Sequence, residues 1–342
     1  MLHSEHGEIR PLNVVVRPGS KLHRAYAEQR AALTPNTAAT ATAATTTPDG
    51  FHPRPQWDLK PHGGRTIADL VFVNRFLGGA AAWDKRDVDN IDLTLEAAMS
   101  DPTLQAVMAQ YYHGPITSTM LPSDVVEGAR PAGSRFFKDD AEALAAELFS
   151  AGVLGDNDPA QSVVNMMLPR GVILVDDFSP GFRPAAGDEE THGRRTRALI
   201  KVDDDASDST VGLGGYHGSV HVPQHGQTVT CYYAVGVFSE GANGIPVFGD
   251  ADHAWANVVA TFYHELNEAR TDPDVEDAIR LNDISKIGWY SETGRGEIGD
   301  LPISETEPDL TRVFRFVALT DGSSEVPVQL MWSNKAHAPA SR

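Results

Sequence analysis

His264-Glu265-Leu266-Asn267-Glu268 sets a histidine and a glutamate four positions apart, with a second glutamate directly after the histidine and Asp272-Pro273 just beyond. Positions four apart lie one above the other on a helix, so His264 and Glu268 can grip one metal ion from adjacent turns. Glu265 then stands where a general base for metal-bound water belongs. This H-E-x-x-E spacing is a variant of the H-E-x-x-H zinc-hydrolase pattern. The helix is expected from about Ala254 to Arg270, with Asp250 or Asp252 as cap and Asp272-Pro273 as stop. Val258, Phe262, Leu266 and Ala269 form its apolar stripe. His264, Glu268 and Asn257 fall away from that stripe, which suits either a solvated face or the floor of a cleft.

Zinc needs a third protein ligand and, if catalytic, an open position. Glu297 and Asp300 are the natural candidates, because the flanking Gly296 and Gly299 let that backbone approach the helix closely. Asp272 is a rival from the helix end. Leu213-Gly214-Gly215-Tyr216-His217-Gly218-Ser219-Val220-His221 reads as a strand on which His217 and His221 point to one face. His217 is either a further ligand or a donor to a transition-state oxyanion; the alternative is a twisted strand whose histidines are incidental. Tyr290 offers a hydroxyl near the site or, beside Trp289, a core contact.

Around this helix the chain reads as one α+β domain from roughly 66 to 335, with a twisted sheet whose strands precede and follow the helix in a zincin-like way. Strands are expected at 67–73, 162–168, 172–175, 198–202, 214–222, 228–238, 313–319 and 326–332. Pro223-Gln224-His225-Gly226 turns two of them into an antiparallel hairpin. Helices are expected at 88–100, beyond Asp101-Pro102, and at 139–151. Residues 1–37 read as a tail with a short helix near Leu22 to Leu33. Residues 38–65, alternating Ala and Thr and then rich in Pro and Gly, read as a disordered linker. Asp274 to Asp283 reads as an acidic loop.

A net charge of −19 argues against nucleic acid and anionic membranes as partners. No apolar run is long enough to span a bilayer. Cys231 is the sole cysteine, which excludes an intramolecular disulfide and a Cys-rich zinc site; it reads as a buried small apolar group. Met1 to Pro11 carries no apolar signal-peptide core, so the default compartment is the cytoplasm, with signal-independent export left open. Asp203-Asp204-Asp205 and Asp208 lack the spacing of a calcium loop and read as a solvated turn.

Several pieces together resemble the Exordium, or phosphate-induced protein, family and its bacterial relatives. These are Gly214-Gly215-Tyr216-His217-Gly218, Tyr233-Ala234-Val235, the helix from His264 to Pro273, Gly288-Trp289-Tyr290 and Gly296-Glu297-Ile298-Gly299-Asp300. Weaker echoes are Leu70 to Val73 and Gln110-Tyr111-Tyr112, so the resemblance runs from about Thr66 to Asn334. It implies a growth- or cell-wall-associated extracellular protein and hands over no reaction. The chain lacks the signal peptide and the several cysteines of secreted plant members.

The functional expectation is a zinc-dependent hydrolase of metallopeptidase type, acting on a peptide or another small polar substrate. His264, Glu268 and Glu297 hold the metal, Glu265 is the base, and His217 or Tyr290 steadies the oxyanion. Asp272 or Asp300 gives support from the second sphere. The rival is an Exordium-like binding or structural protein without turnover, in which Glu268 pairs with Arg270, Arg295 or a backbone N–H. A calcium-stabilised module using Asp272 to Asp283 is the third possibility.

Overall fold

The computed structural model describes residues 50–177, 208–224, 226–249, 252–281 and 283–341, together with the backbone of 14–16. The helix near Leu22 to Leu33, the strand at 198–202, the Asp203 to Asp205 run and the Asp250 cap lie outside the described residues. In chain order the strands are β1 (Val14–Val16), β2 (Leu59–Pro61), β3 (Asp69–Leu77), β4 (Thr117–Val126), β5 (Arg135–Phe136), β6 (Ser162–Met167) and β7 (Ile173–Leu174). Then follow β8 (Leu213–Gln224), β9 (Gln227–Gly236), β10 (Trp289–Ser291), β11 (Phe314–Ala318), β12 (Glu325–Gln329), β13 (Met331–Ser333) and β14 (Ala338–Ala340). The helices are α1 (Lys85–Ser100), α2 (Pro102–Ala109), α3 (Lys138–Ser150), α4 (Trp255–Thr271), α5 (Val275–Leu281) and α6 (Asp300–Thr306). The architecture is α+β with a mixed sheet.

The main sheet has the order β1-β8-β9-β6-β3-β4. Strands β9, β6, β3 and β4 run parallel, and β8 and β1 are antiparallel additions at one side. The period-2 alternation of a strand splits the apolar side chains between two cores. Phe72 and Phe76 of β3, Val163 and Met167 of β6, and Tyr232 and Ala234 of β9 face the core that holds α1 and α4. Val73 and Leu77, Val164 and Met166, and Tyr233 and Val235 face the other core, where α3 contributes Ala141 and Ala145. On β8, Tyr216, Val220 and Val222 join the α3 side, so the opposite parity of Gly215, His217 and Ser219 belongs to the α4 side. That alternation aims His217 at α4.

The elements follow local chemistry. Asp101 ends α1 and caps α2, accepting from Thr103 N at 2.9 Å and Leu104 N at 3.0 Å, with Pro102 in the first turn. Its second oxygen accepts from Thr320 N at 2.7 Å and ties the β11–β12 turn to this junction. Asp101→Ala should therefore cost about 1–2 kcal/mol, measurable by chemical denaturation. The β8–β9 hairpin forms as expected, with Gln224 opposite Gln227.

Three features differ from the sequence reading. Residues 50–65, expected to be linker, carry a short helical turn at Pro55–Trp57 and β2, and place Phe51, Trp57 and Leu59 in the core. The acidic run after Pro273 is a helix, α5, and not a loop. It lies against β8 beyond the end of β1, where the strand edge needs partners. Glu276 Oε2 accepts from Ser219 N at 2.9 Å, and Arg280 Nη2 donates to Ser219 O at 3.0 Å. Asp277 pairs with Arg280, and Glu276 with Lys138, so this run is an ion-paired cover and no open calcium loop. Strand β4 went unexpected. Among the described residues, no helix is long and apolar enough to cross a membrane.

Candidate metal centre

Helix α4 matches its expected span within a residue, but Ala254 occupies the N-cap position without a side-chain bond, and Asp252 offers only its carbonyl, to Trp255 Nε1. The helix is buried on every side from Ala256 to Thr271. The expectation of a solvated polar face is therefore overturned: the sheet covers one side, and β12 and the segment before α6 cover another. Each buried polar group must then find a partner. Arg270 finds one in the carbonyls of Ala68 and Thr117, at 2.8 and 3.1 Å, well away from Glu268. Asn257 accepts from Val247 N and Phe248 N, both at 2.9 Å, and fixes the loop leading into the helix.

The other polar flank of α4 meets β8, the 288–300 segment and β12. There His217, His264, Glu265, Glu268, Asp272, Glu297 and Asp300 come together, each 3 % exposed or less. His264 Nε2 lies 3.1 Å from Glu268 Oε2. His217 Nδ1 is 3.3 Å from Glu265 Oε2 and 3.9 Å from Glu268 Oε2, and its Nε2 is 3.9 Å from Glu297 Oε1. Glu268 Oε1 accepts from Gly299 N at 3.1 Å, the backbone contact anticipated by the non-catalytic reading. Two triads bring ligand atoms within metal-bridging reach of one another: His264 with Glu268 and Asp300, and His217 with Glu268 and Glu297.

Neighbouring groups orient these side chains, and several of their polar atoms lack partners. His264 Nδ1 sits 2.8 Å from Gln329 Oε1, while Gln329 Nε2 donates to Gly299 O. Gln329 is thereby oriented to accept from the ring at Nδ1, which leaves His264 Nε2 facing Glu268, the nitrogen that can ligate once its proton is lost. Gln329 had no signal in the sequence beyond its place within an expected strand. Glu265 Oε1 and both carboxylate oxygens of Glu297 have no hydrogen-bond partner. Burial drives the Glu297 carboxyl well above the usual range, and the charges of Glu268 and Asp272 add to it. Burial also raises Glu265, although the His217 bond opposes it. Asp272 is pushed up to about 8 by burial against the pull of its Gly288 N–H bond. Burial disfavours a charged His264 ring, yet Glu268 and Glu265 hold it up at about 10.

Glycines permit this closeness, as the flanking pattern suggested. A Cβ on Gly299 would stand 2.3 Å from His264 Nδ1, and one on Gly296, at φ +102°, would stand 1.9 Å from Asp300 Oδ2. Gly299→Ala should push the His264 ring out of place, cost about 1–3 kcal/mol and weaken metal uptake. Thermal melts with and without Zn²⁺ check both.

The remaining expected site residues divide. Asp272 caps the C-terminus of α4 and enters neither triad; its carboxyl turns to Gly288 N at 2.8 Å. Tyr290 is buried with Val275, Ala278 and Ile287 in a small separate cluster. His221, which shares the parity of His217, is 3.1 Å from Asp277 Oδ2 on α5. Cys231 is buried, and burial raises its thiol to about 11. Compared with protein-family models, with curated proteins and with solved structures, the chain finds no match in any of the three.

Proposed function

We propose that this chain is a divalent-metal protein of the hydrolase class, with zinc the metal its donors suit best and α4 the element that holds it. One observation carries the reading: five carboxyl groups and two imidazoles share a buried space, and Glu265, Asp272 and Glu297 have no ion pair to lysine or arginine among the described residues. Without a cation, burial pushes these three carboxyls toward their protonated forms. Burying carboxylates without compensation costs several kcal/mol each, and a divalent cation is the compensation that imidazole and carboxylate donors select.

His264, Glu268 and Asp300 are the first ligand set. The bound ion would lower the pKa of a water and polarise a carbonyl. Glu265 is anchored through Oε2 to His217, and its Oε1 is left to take a proton from that water. Complete burial of the cluster favours a small polar substrate over an extended peptide. It also supports a second reading, in which the metal is structural and nothing is turned over.

Metal analysis of the purified protein, with His264→Ala and Glu265→Gln beside it, separates these readings. The hydrolase reading expects bound zinc in wild type and in Glu265→Gln, a lower zinc content in His264→Ala, and a 10²-fold or larger fall in hydrolysis of small ester and peptide substrates in Glu265→Gln. Metal bound without any hydrolysis in wild type supports the structural reading. A wild-type protein that takes up no zinc sinks both metal readings and leaves the Exordium-like protein without metal, in which Gly299 N satisfies Glu268.

A further inference from the structure

We infer that the centre takes two divalent cations bridged by Glu268, and not one. This rests on the metal-protein reading above and sharpens it. Two ligands of one zinc ion stand no further apart than about twice the metal–ligand bond of roughly 2.0–2.2 Å. Among the described residues, no ligand group contains both His217 and His264; each histidine forms its own triad, and Glu268 is the member common to the two. Its Oε2 faces both rings, 3.1 Å from His264 Nε2 and 3.9 Å from His217 Nδ1. The other oxygen, Oε1, is held by Gly299 N. A carboxylate oriented in this way joins two metal ions at the spacing of about 3.5–4 Å that two-metal hydrolytic sites use.

Charge points the same way. With neutral imidazoles and metal bound, the three carboxylates of the two triads together with Glu265 carry four charges, which two dications match and one dication only halves. Glu297 supplies the independent sign: it is fully buried, both its oxygens lack a hydrogen-bond partner, and it sits outside the His264 triad. A single ion on His264, Glu268 and Asp300 would not engage it. An ion on His217, Glu268 and Glu297 would, bound at the Nε2 nitrogen that faces Glu297, while Glu265 holds Nδ1 as carboxylates do behind ligating histidines.

The test is a titration of metal-stripped full-length protein with Zn²⁺, read by calorimetry and elemental analysis, and repeated with Co²⁺ for spectroscopy. Two equivalents are expected in wild type, one in His264→Ala, one in His217→Ala and none retained at micromolar metal in Glu268→Ala. Two Co²⁺ ions sharing a carboxylate should give a magnetically coupled, weakened EPR signal, and Glu297→Gln should restore that of an isolated ion. Circular dichroism checks that each variant is folded, and Glu297→Gln, which conserves shape, stands in for His217→Ala if that variant is not. One equivalent in wild type, unchanged by Glu297→Gln, overturns the second ion and leaves the single-metal reading standing. No uptake in wild type overturns both.

Discussion

Zinc should raise the melting temperature of this protein far more at pH 8 than at pH 5, and stripping the metal should reverse the slope of stability against pH. The sign follows from the buried groups. Asp272, Glu265 and Glu297 all hold their protons more tightly in the fold than in a free chain, Asp272 up to about 8. A group raised in this way stabilises the fold fully below its ordinary value and loses that contribution as pH climbs through the folded one. For Asp272 the window runs from 3.8 to about 8. His264, held up at about 10 from 6.5, adds a loss of the same sign over the higher part of the range. The metal-free protein should therefore weaken steadily from pH 4 upward. Metal ligands must be deprotonated, so zinc competes with the protons of His264 and Glu297, the proposed ligands among these groups, and binds better as pH rises. At a free zinc concentration one hundred times the dissociation constant, the gain is about 2.7 kcal/mol. Scanning calorimetry at pH 5, 6.5 and 8, in chelator and in zinc, reads both slopes. An equal zinc increment at all three pH values would remove these groups from the metal site.

The His264-Glu265-x-x-Glu268 spacing was legible because helical geometry is local: four residues suffice to place two ligands on one face. The caps at Asp101 and the turn before Gln227 were legible for the same reason. What α4 packs against was not. A polar stripe that faces water and one that faces a second buried polar cluster have the same periodicity, and only β8 and β12 arriving from elsewhere in the chain decide between them. Gln329 is the sharpest case, since its role depends on a contact with a helix residue 65 positions away.

The missed strand has a different cause. Strand β4 carries Pro122 and alternates between exposed and half-buried residues, because it is the outer strand of the sheet. A proline is tolerated there, where one row of backbone groups needs no partner. The β3–β4 register shifts across that point, between Val73 and Arg75. In the sequence the same proline reads as a break. Helix α5 was hidden by its charges. Glu276 and Asp277 beside Pro273 read as part of an acidic loop until Lys138, far earlier in the chain, is seen to meet Glu276.

That pairing carries the second large effect. Glu276 and Lys138 are both nearly fully buried, and Lys138 reaches it from α3 on the far side of the sheet. Burial alone would raise the Glu276 carboxyl, but Lys138 and Arg280 outweigh it and hold it down at about 2. Lys138→Met keeps the aliphatic stem and removes the charge, leaving a buried carboxylate whose nearest cation is Arg280 at 4.0 Å. Breaking one side of a buried pair costs about 3–5 kcal/mol, and chemical denaturation should show a loss of that size. Adding Glu276→Gln in the same chain removes the stranded charge, so the double variant should recover much of the loss. If the double variant is as unstable as the single, packing of Lys138 and not its charge is what matters. The pH profile distinguishes the two independently. A carboxyl depressed to about 2 gives stability that is present above 4.5 and lost as pH falls toward 2. Wild type should show that acid limb, and Lys138→Met should have it shifted upward or erased. Because α5 covers the edge of β8 through the same Glu276, loosening this pair should also expose the strand that carries His217, and hydrogen exchange at Ser219 N is the place to look for it.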